Sequence, residues 1–154
     1  MIKIKTVSDK EIQGIKEKHV LNCFTDYLYH KHVVDQIQKE LNYISEELSC
    51  GSSSMGIIRV SKDAKNNNTP WQNELFARES DLIKEQDKHF EHVELVDEWL
   101  KNIKNETHRD ILIDYVINNH CENAESVAEN CYTTKGNVCK VAQRLITKIA
   151  RRIS

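Results

Sequence analysis

The residues best suited to bind metal ions or to carry out catalysis are histidines and cysteines, and they are scattered along the chain. His89 and His92 lie one helical turn apart, and His30 and His32 form a second close pair. Neither pair has a third ligand at a spacing known for zinc sites. A further set matches no zinc module in its spacings: His120, Cys121, Cys131 and Cys139. With no nucleophile paired to a base either, the sequence predicts no metal, no cofactor and no enzyme.

Positive charge is concentrated at the C-terminal end. The formal net charge of the 154 residues is −2, yet the segment from Tyr132 to Ser154 holds six Lys or Arg and no Asp or Glu. The residues before Tyr132 therefore carry a formal charge of −8. This asymmetry indicates a surface that faces a polyanion such as nucleic acid. The alternative interpretation is a basic helix that faces only solvent beside an acidic body.

Cysteine usage and hydropathy predict where the protein acts. The five cysteines are an odd number with no C-x-x-C spacing, and the N-terminus does not resemble a signal peptide, so we expect reduced thiols in the cytoplasm. No apolar run approaches the length of a membrane span, so no membrane partner is expected.

Three short helices are predicted in the last third, over 107–118, 123–131 and 134–152, and Thr107 and Asp110 at the start of the first have capping-box-like spacing. Thr133 or Thr134 can cap the last helix, on which apolar residues recur at three- and four-residue steps: Val138, Val141, Leu145, Ile149 and Ile153. Cationic and amide side chains fall largely off this stripe: Lys135, Asn137, Lys140, Gln143, Arg144, Lys148 and Arg151. Two helices joined by a short turn, the second carrying exposed cations, predict a helix-turn-helix.

The first half is predicted to form long helices, because the chain has one Pro and four Gly. Ser8 and Glu11 match a capping box. The clearest apolar stripe that follows is Val34, Ile37, Leu41, Ile44 and Leu48, and Gly51 is expected to end this helix. The stripe has two interpretations: it packs on the protein's own third helix, or it joins two chains in a homodimer.

The domain organisation follows from these elements. We predict an N-terminal helical segment over 1–50, able to dimerise, and a polar linker over 51–69, rich in Ser, Gly and Asn. A helical domain over 70–154 begins at Pro70 with Thr69 as its cap and contains the helix-turn-helix at about 107–152. The predicted fold class is all-α: a long N-terminal helix or helical hairpin followed by the helix-turn-helix.

Residues 127–149, "VAENCYTTKGNVCKVAQRLITKI", resemble region four of bacterial sigma factors, the part that binds promoter DNA. The preceding "ETHRDILIDYVINNHCENAESVAEN" is similar to the first helix and loop of that module, so that the resemblance covers about residues 95–152. The motifs of sigma regions two and three are absent. The layout of a long N-terminal helix ("FTDYLYHKHVVDQIQKEL"), a Ser/Gly/Asn linker and a sigma-like C-terminal module resembles the RinA and ArpU families. These are late-gene activators of phages and prophages.

The resemblance implies which residues face DNA. The DNA-binding set it implies is Thr134, Lys135, Gly136, Asn137, Cys139, Lys140, Gln143, Arg144, Lys148, Arg151 and Arg152. Lys135, Gly136, Cys139 and Lys140 would face base edges. Three departures stand out: Gly136 and Cys139 replace the usual Glu and Arg, and Tyr132 occupies a turn position where Gly is common.

The function predicted from sequence is therefore a sequence-specific transcriptional regulator, a phage or prophage late-gene activator in the cytoplasm of a bacterial host. Its expected partners are double-stranded DNA, RNA polymerase and a second copy of the chain. The alternative is a phage DNA-packaging adaptor similar to a small terminase, in which a DNA-binding module accompanies an oligomerising segment. A monomer or dimer in solution favours the regulator, and a ring of many subunits favours the adaptor.

Overall fold

The computed structural model describes the backbone of residues 8–58 and 70–153 and the side chains of residues 8–49 and 70–153. All regular structure in these ranges is helical, which confirms the all-α prediction for them. The helices are α1 (Asp9–Thr25), α2 (Tyr27–Ile58), α3 (Pro70–Lys101), α4 (Glu106–Leu112), α5 (Ala124–Asn130) and α6 (Lys135–Arg152). A π-helical segment, Ile113–Asn118, continues directly from α4.

Side-chain caps fix where three of these helices begin. The Ser8 hydroxyl accepts a hydrogen bond from the Glu11 amide at 3.2 Å, so the predicted cap of α1 is confirmed. At α4 the prediction is corrected, because the cap is Asn105, whose side chain accepts from the His108 amide at 3.1 Å. Thr107 instead lies inside the first turn. Pro70 is the first residue of α3, as predicted, whereas its predicted cap Thr69 lies outside the described residues.

The end of α2 differs from the prediction. The helix continues to Ile58 rather than ending at Gly51, so it includes the first residues of the predicted 51–69 linker. A glycine inside a helix costs only about 0.5–1 kcal/mol relative to alanine, which does not by itself end the helix. Residues 59–69 of that linker lie outside the described residues. The division into domains at residues 50 and 70 stays a prediction.

Two compact units can be distinguished. The terminal unit comprises Met1–Tyr29 and His92–Ser154, and the middle unit comprises His30–Glu91. In the middle unit Ile37 and Ile44 of α2 are buried against Leu82 of α3, and the half-buried residues around them are Val33, Leu41, Leu48 and Leu75. The stripe on α2 therefore packs within the chain, which was one of its two interpretations. Because Ile37 and Ile44 are already buried, the centre of the stripe offers no free apolar face to a second copy of the chain.

The terminal unit joins both ends of the described chain in one core. Val20 and Phe24 of α1 are fully buried there together with Val96, Val116 and Ile146. The rings of Phe24 and Trp99 are 5.6 Å apart between their centroids. The sequence did not predict that α1 belongs to this core, because the residues that it meets lie near the other end of the chain.

A second, smaller core lies between α4, α5 and α6 of the same unit. Its buried residues are Ile111, Ala124, Val127, Ala128, Val138 and Val141. Ala128 is only 5% exposed, and its small side chain leaves room for α6 to pass closely. The three helices predicted at 107–118, 123–131 and 134–152 are thus present with boundaries shifted by at most one residue, the first of them ending in the π-helical segment.

Candidate nucleic-acid interface

The N-terminal end of α6 is fixed by two threonines. Thr134 has extended backbone angles, and its hydroxyl accepts a hydrogen bond from the Asn137 amide at 3.2 Å. The Asn137 side-chain amide in turn donates to the Thr133 hydroxyl at 2.8 Å. Thr134 is thus the cap, one of the two residues that the sequence allowed. These bonds hold the first turn of α6, and with it Lys135 and Gly136, in a defined position.

A short turn between α5 and α6 contains Tyr132 in the left-handed region, with φ of 55°. The backbone amide of Thr133 donates to the carbonyl of Ala128 at 2.9 Å, and that of Cys131 donates to the carbonyl of Val127 at 2.9 Å. Tyr132 therefore occupies the glycine-like position of the turn without preventing its hydrogen bonds. Its side chain is 98% exposed.

One face of α6 is buried in the two cores. The predicted stripe is confirmed at Val138, Val141 and Ile149, which are buried, and at Leu145 and Ile153, which are half-buried. The buried face is wider than predicted, because it also includes Ala142, Ile146 and Ala150. Alanine carries little hydrophobic signal in a sequence, so a stripe built partly from alanines is easily underestimated.

The opposite face of α6 carries the predicted DNA-binding residues. All of these positions are exposed: Thr134, Lys135, Gly136, Asn137, Cys139, Lys140, Gln143, Arg144, Lys148, Arg151 and Arg152. At about 100° per residue, Lys140, Arg144, Lys148 and Arg151 fall within an arc of about 80°. With Cys139, Gln143 and Thr147 they border an open surface depression of about 710 Å³. We call these four cations the basic face.

Two of the predicted residues lie away from the basic face. Lys135 lies about 140° around the helix from Lys140 and forms an exposed ion pair with Glu125 at 3.7 Å. Arg152 borders a different depression, together with Trp99 and Asn102. The structure therefore brings the central cations together and separates Lys135 from them, whereas Arg152 shares a neighbouring depression with Lys148.

The charge of the basic face is not compensated within the part of the chain that the structure describes. Lys140, Arg144, Lys148 and Arg151 form no ion pair there with an acidic side chain. Four exposed cations on one helix face repel one another in the isolated protein. Such an arrangement favours a polyanionic partner, because the partner's charge removes this repulsion.

Helix α1 borders the basic face on one side, which the sequence did not predict. The Thr147 hydroxyl donates to a Glu17 carboxylate oxygen at 2.7 Å, the Gln13 side chain donates to the Thr147 carbonyl at 3.3 Å, and the Lys16 ammonium donates to the Ile153 carbonyl at 2.8 Å. Lys18 of α1 lines a cleft of about 390 Å³ that it shares with Gln143. No local signal could have found these residues, since Gln13 and Thr147 are 134 positions apart.

Thiols near α6 have the character of packing groups. The Cys139 thiol donates to the Tyr115 hydroxyl at 3.8 Å. Burial, followed by this hydrogen bond, raises the pKa of Tyr115 to about 12. Burial also raises the pKa of Cys121 and of Cys131, which keeps these thiols protonated near neutral pH.

Among the side chains that the structure describes, no group of three or more His, Cys, Asp and Glu could hold a metal ion. Within the described ranges, no helix combines the length and the apolar character that a membrane span requires.

Comparison of the chain with protein-family models, with curated proteins and with solved structures found no match. The resemblance to sigma region four and to the RinA and ArpU families therefore stays a prediction.

Proposed function

We propose that this protein binds double-stranded DNA through α5 and α6, acting as a helix-turn-helix, and that it regulates transcription in the manner of phage late-gene activators. The observation that carries the proposal is the division of α6 into two faces. One face is buried in the cores of the terminal unit, and the other presents Lys140, Arg144, Lys148 and Arg151 without acidic partners among the described residues.

The dimensions of α6 suit the major groove of DNA. The helix has 18 residues, which at 1.5 Å per residue is about 27 Å. The groove is about 12 Å wide and admits one α-helix. Lys and Arg donate hydrogen bonds to guanine, and Gln pairs with adenine, so Lys140, Gln143 and Arg144 offer the groups that direct reading of bases requires.

Lys148 and Arg151 are assigned a different task. They lie about two and three turns beyond Lys140, where a recognition helix leaves the groove. Contacts from these residues would then reach phosphates, which position the protein but carry no direct sequence information.

A helix that merely faces solvent accounts for only part of this charge pattern. Arg151 and Arg152 lie in the last turn of α6, where the helix dipole favours cations. The dipole gives no such reason for Lys140 and Arg144 in the middle of the helix. It also disfavours a cation at Lys135 in the first turn. The central cations are therefore the residues that the DNA proposal explains and the solvent interpretation does not.

The proposal is tested by measuring the affinity for duplex DNA as a function of salt. If Lys148 and Arg151 each neutralise a phosphate, the log–log slope is about −1.8, and affinity falls about 12-fold between about 50 and 200 mM salt. A preferred site is first selected from a random-sequence duplex library. Affinity that is independent of salt, or binding no tighter than that of an unrelated acidic protein, would refute the proposal.

Two substitutions in α6 separate base reading from phosphate anchoring. Lys140→Ala should cost about 1–3 kcal/mol on the selected site and relax preference at one base pair. Arg151→Ala should weaken selected and random duplexes by similar factors and reduce the salt slope by about one. Both variants should melt like the wild type, because both side chains are exposed. If instead Arg151→Ala relaxes the preference for the selected site and Lys140→Ala does not, α6 enters the groove by its C-terminal end.

Regulation itself is measured by transcription in vitro on a template that carries the selected site. The expected result is a change in transcript level that depends on the site and is lost with Lys140→Ala. Co-sedimentation with RNA polymerase in the absence of DNA tests the direct contact that the resemblance implies. An unchanged transcript level at saturating protein would refute the regulatory part of the proposal while leaving DNA binding intact.

A further inference from the structure

Tyr132 occupies a backbone conformation that costs free energy. Its φ of 55° lies in the left-handed region, which bulky side chains adopt rarely and glycine adopts freely. The hydrogen bonds of the turn are made by the backbone amides of Cys131, Tyr132 and Thr133, which donate to carbonyls of α5. Glycine or asparagine at position 132 would allow the same bonds. The turn therefore gives no reason for a tyrosine.

The side chain of Tyr132 gives no compensation within the folded chain either. It is 98% exposed, whereas Tyr29 and Tyr43, on α2, are 61% and 59% exposed. Within the described residues, its hydroxyl makes no hydrogen bond and its ring packs against no other ring. In the isolated protein, neither the backbone conformation nor the exposed ring explains a tyrosine at position 132. The reason for the tyrosine therefore lies in a binding partner that contacts this turn.

The position of Tyr132 identifies that partner if α6 enters a DNA groove. The residue lies two positions before Thr134, the cap of α6, and the N-terminal end of a recognition helix is the end that approaches the bases. The DNA backbone that borders the groove passes beside the N-terminal end of α6. Exposed polar residues surround Tyr132 in sequence, namely Glu129, Asn130, Thr134 and Lys135. A single aromatic ring among polar side chains suits a sugar–phosphate backbone better than it suits a protein, whose interfaces need a larger apolar patch.

We propose that Tyr132 is a DNA-backbone contact: its hydroxyl donates a hydrogen bond to a phosphate oxygen, and its ring lies against the adjacent deoxyribose. This inference rests on the proposed function and adds a residue outside α6 to the DNA-binding surface. Tyrosine is among the side chains that commonly contact phosphates. Because tyrosine is neutral, the contact displaces no counterion, which distinguishes it from the cations of the basic face.

The experiment compares Tyr132→Gly and Tyr132→Phe with the wild type in thermal melting and in binding to selected and random duplexes. Tyr132→Gly should melt at a higher temperature, because the left-handed conformation is relaxed, and yet bind both duplexes about three- to tenfold more weakly. Tyr132→Phe keeps the backbone cost, so it should melt like the wild type and lose part of the affinity through its missing hydroxyl. The salt slope should stay unchanged in both. Tyr43→Phe serves as a matched control at an exposed tyrosine of the middle unit and should change neither property.

Each other outcome overturns the proposal. Variants that bind both duplexes as tightly as the wild type would show that the turn does not contact DNA, while leaving the function proposed for α6 intact. Wild-type protein that binds no duplex removes the proposed function and this contact together. A lower melting temperature in Tyr132→Phe would assign the hydroxyl to the fold. Unchanged DNA affinity with altered sedimentation in Tyr132→Gly would assign the ring to a protein interface.

Discussion

Phe24→Ala tests whether α1 is part of the unit that carries α6. Phe24 is fully buried and belongs to a cluster that includes Val96 and Val116, from other elements. Removing a buried phenylalanine side chain costs about 3–5 kcal/mol, and the cost is high where the surroundings cannot collapse into the cavity. Here the neighbours belong to different helices that hold one another in place. For a unit of this size the melting temperature should fall by about 12 °C or more.

The chain offers a local reporter for this measurement. It has two tryptophans: Trp99 in the terminal unit, in contact with Phe24, and Trp71 in the middle unit. In a Trp71→Phe background, the fluorescence of Trp99 follows the unfolding of the terminal unit. Phe76→Ala is the matched control, because Phe76 is 45% exposed and the same substitution there should change stability by about 0.5 kcal/mol or less.

The prediction is contradicted if Phe24→Ala and Phe76→Ala shift the unfolding transition reported by Trp99 equally, or if neither substitution shifts it. Either result would mean that α1 does not support the core beneath α6. If the reasoning holds, Phe24→Ala should also weaken DNA binding at temperatures above its lowered transition and leave it near normal well below. A loss of DNA binding at all temperatures would indicate that Phe24 fixes the position of α6 even in the folded protein.

Two further expectations concern a helix cap and a tyrosine. Asn105→Ala should destabilise the protein by about 1 kcal/mol in urea denaturation, because Asn105 caps α4. Thr107→Ala should have almost no effect. A larger effect of Thr107→Ala than of Asn105→Ala would instead support the cap predicted from the sequence. Tyr27→Phe should lower stability at pH 7 by about 1 kcal/mol, because the Tyr27 hydroxyl donates to Asp97 at 2.7 Å. Burial, followed by this bond, raises the pKa of Tyr27 from 10 to about 12, so the contribution is complete below about pH 10 and is lost as the pH rises toward 12. Denaturation between pH 9 and about pH 11 should show the difference between wild type and variant narrowing; a constant difference would contradict this origin.

Local signals predicted much of the fold. Ser8, Thr134 and Pro70 mark helix starts through chemistry that acts within four residues, and the structure places helix starts there. Asn105 and Thr107 are both good caps two positions apart, so sequence alone could not choose between them. Gly51 does not end α2, because the free-energy cost of one glycine is smaller than the gain from continuing the helical hydrogen bonds.

Contacts between residues far apart in the sequence could not be predicted from local patterns. Nothing near Gln13 or Glu17 indicates that they meet Thr147, and the apolar pattern of α1 is too irregular to show which face is buried. For the candidate interface, the cations and the apolar stripe of α6 were evident from spacing. The border that α1 adds to the basic face depends on long-range packing, and the strain at Tyr132 depends on a backbone angle, and neither has a local signal in the sequence.

The pairing of α1 with α6 has a consequence for how the protein is made. A ribosome synthesises α1 well before α6, and between Thr25 and Lys135 it adds residues at about 5–20 per second, a delay of about 6–22 seconds. During that time Val20 and Phe24 have no α6 to cover them. A nascent chain therefore exposes these two apolar side chains to chaperones and proteases until α6 has been made. Products of interrupted translation lack both the basic face and the surface that buries α1, so the chains most prone to degradation are also those unable to occupy a DNA site.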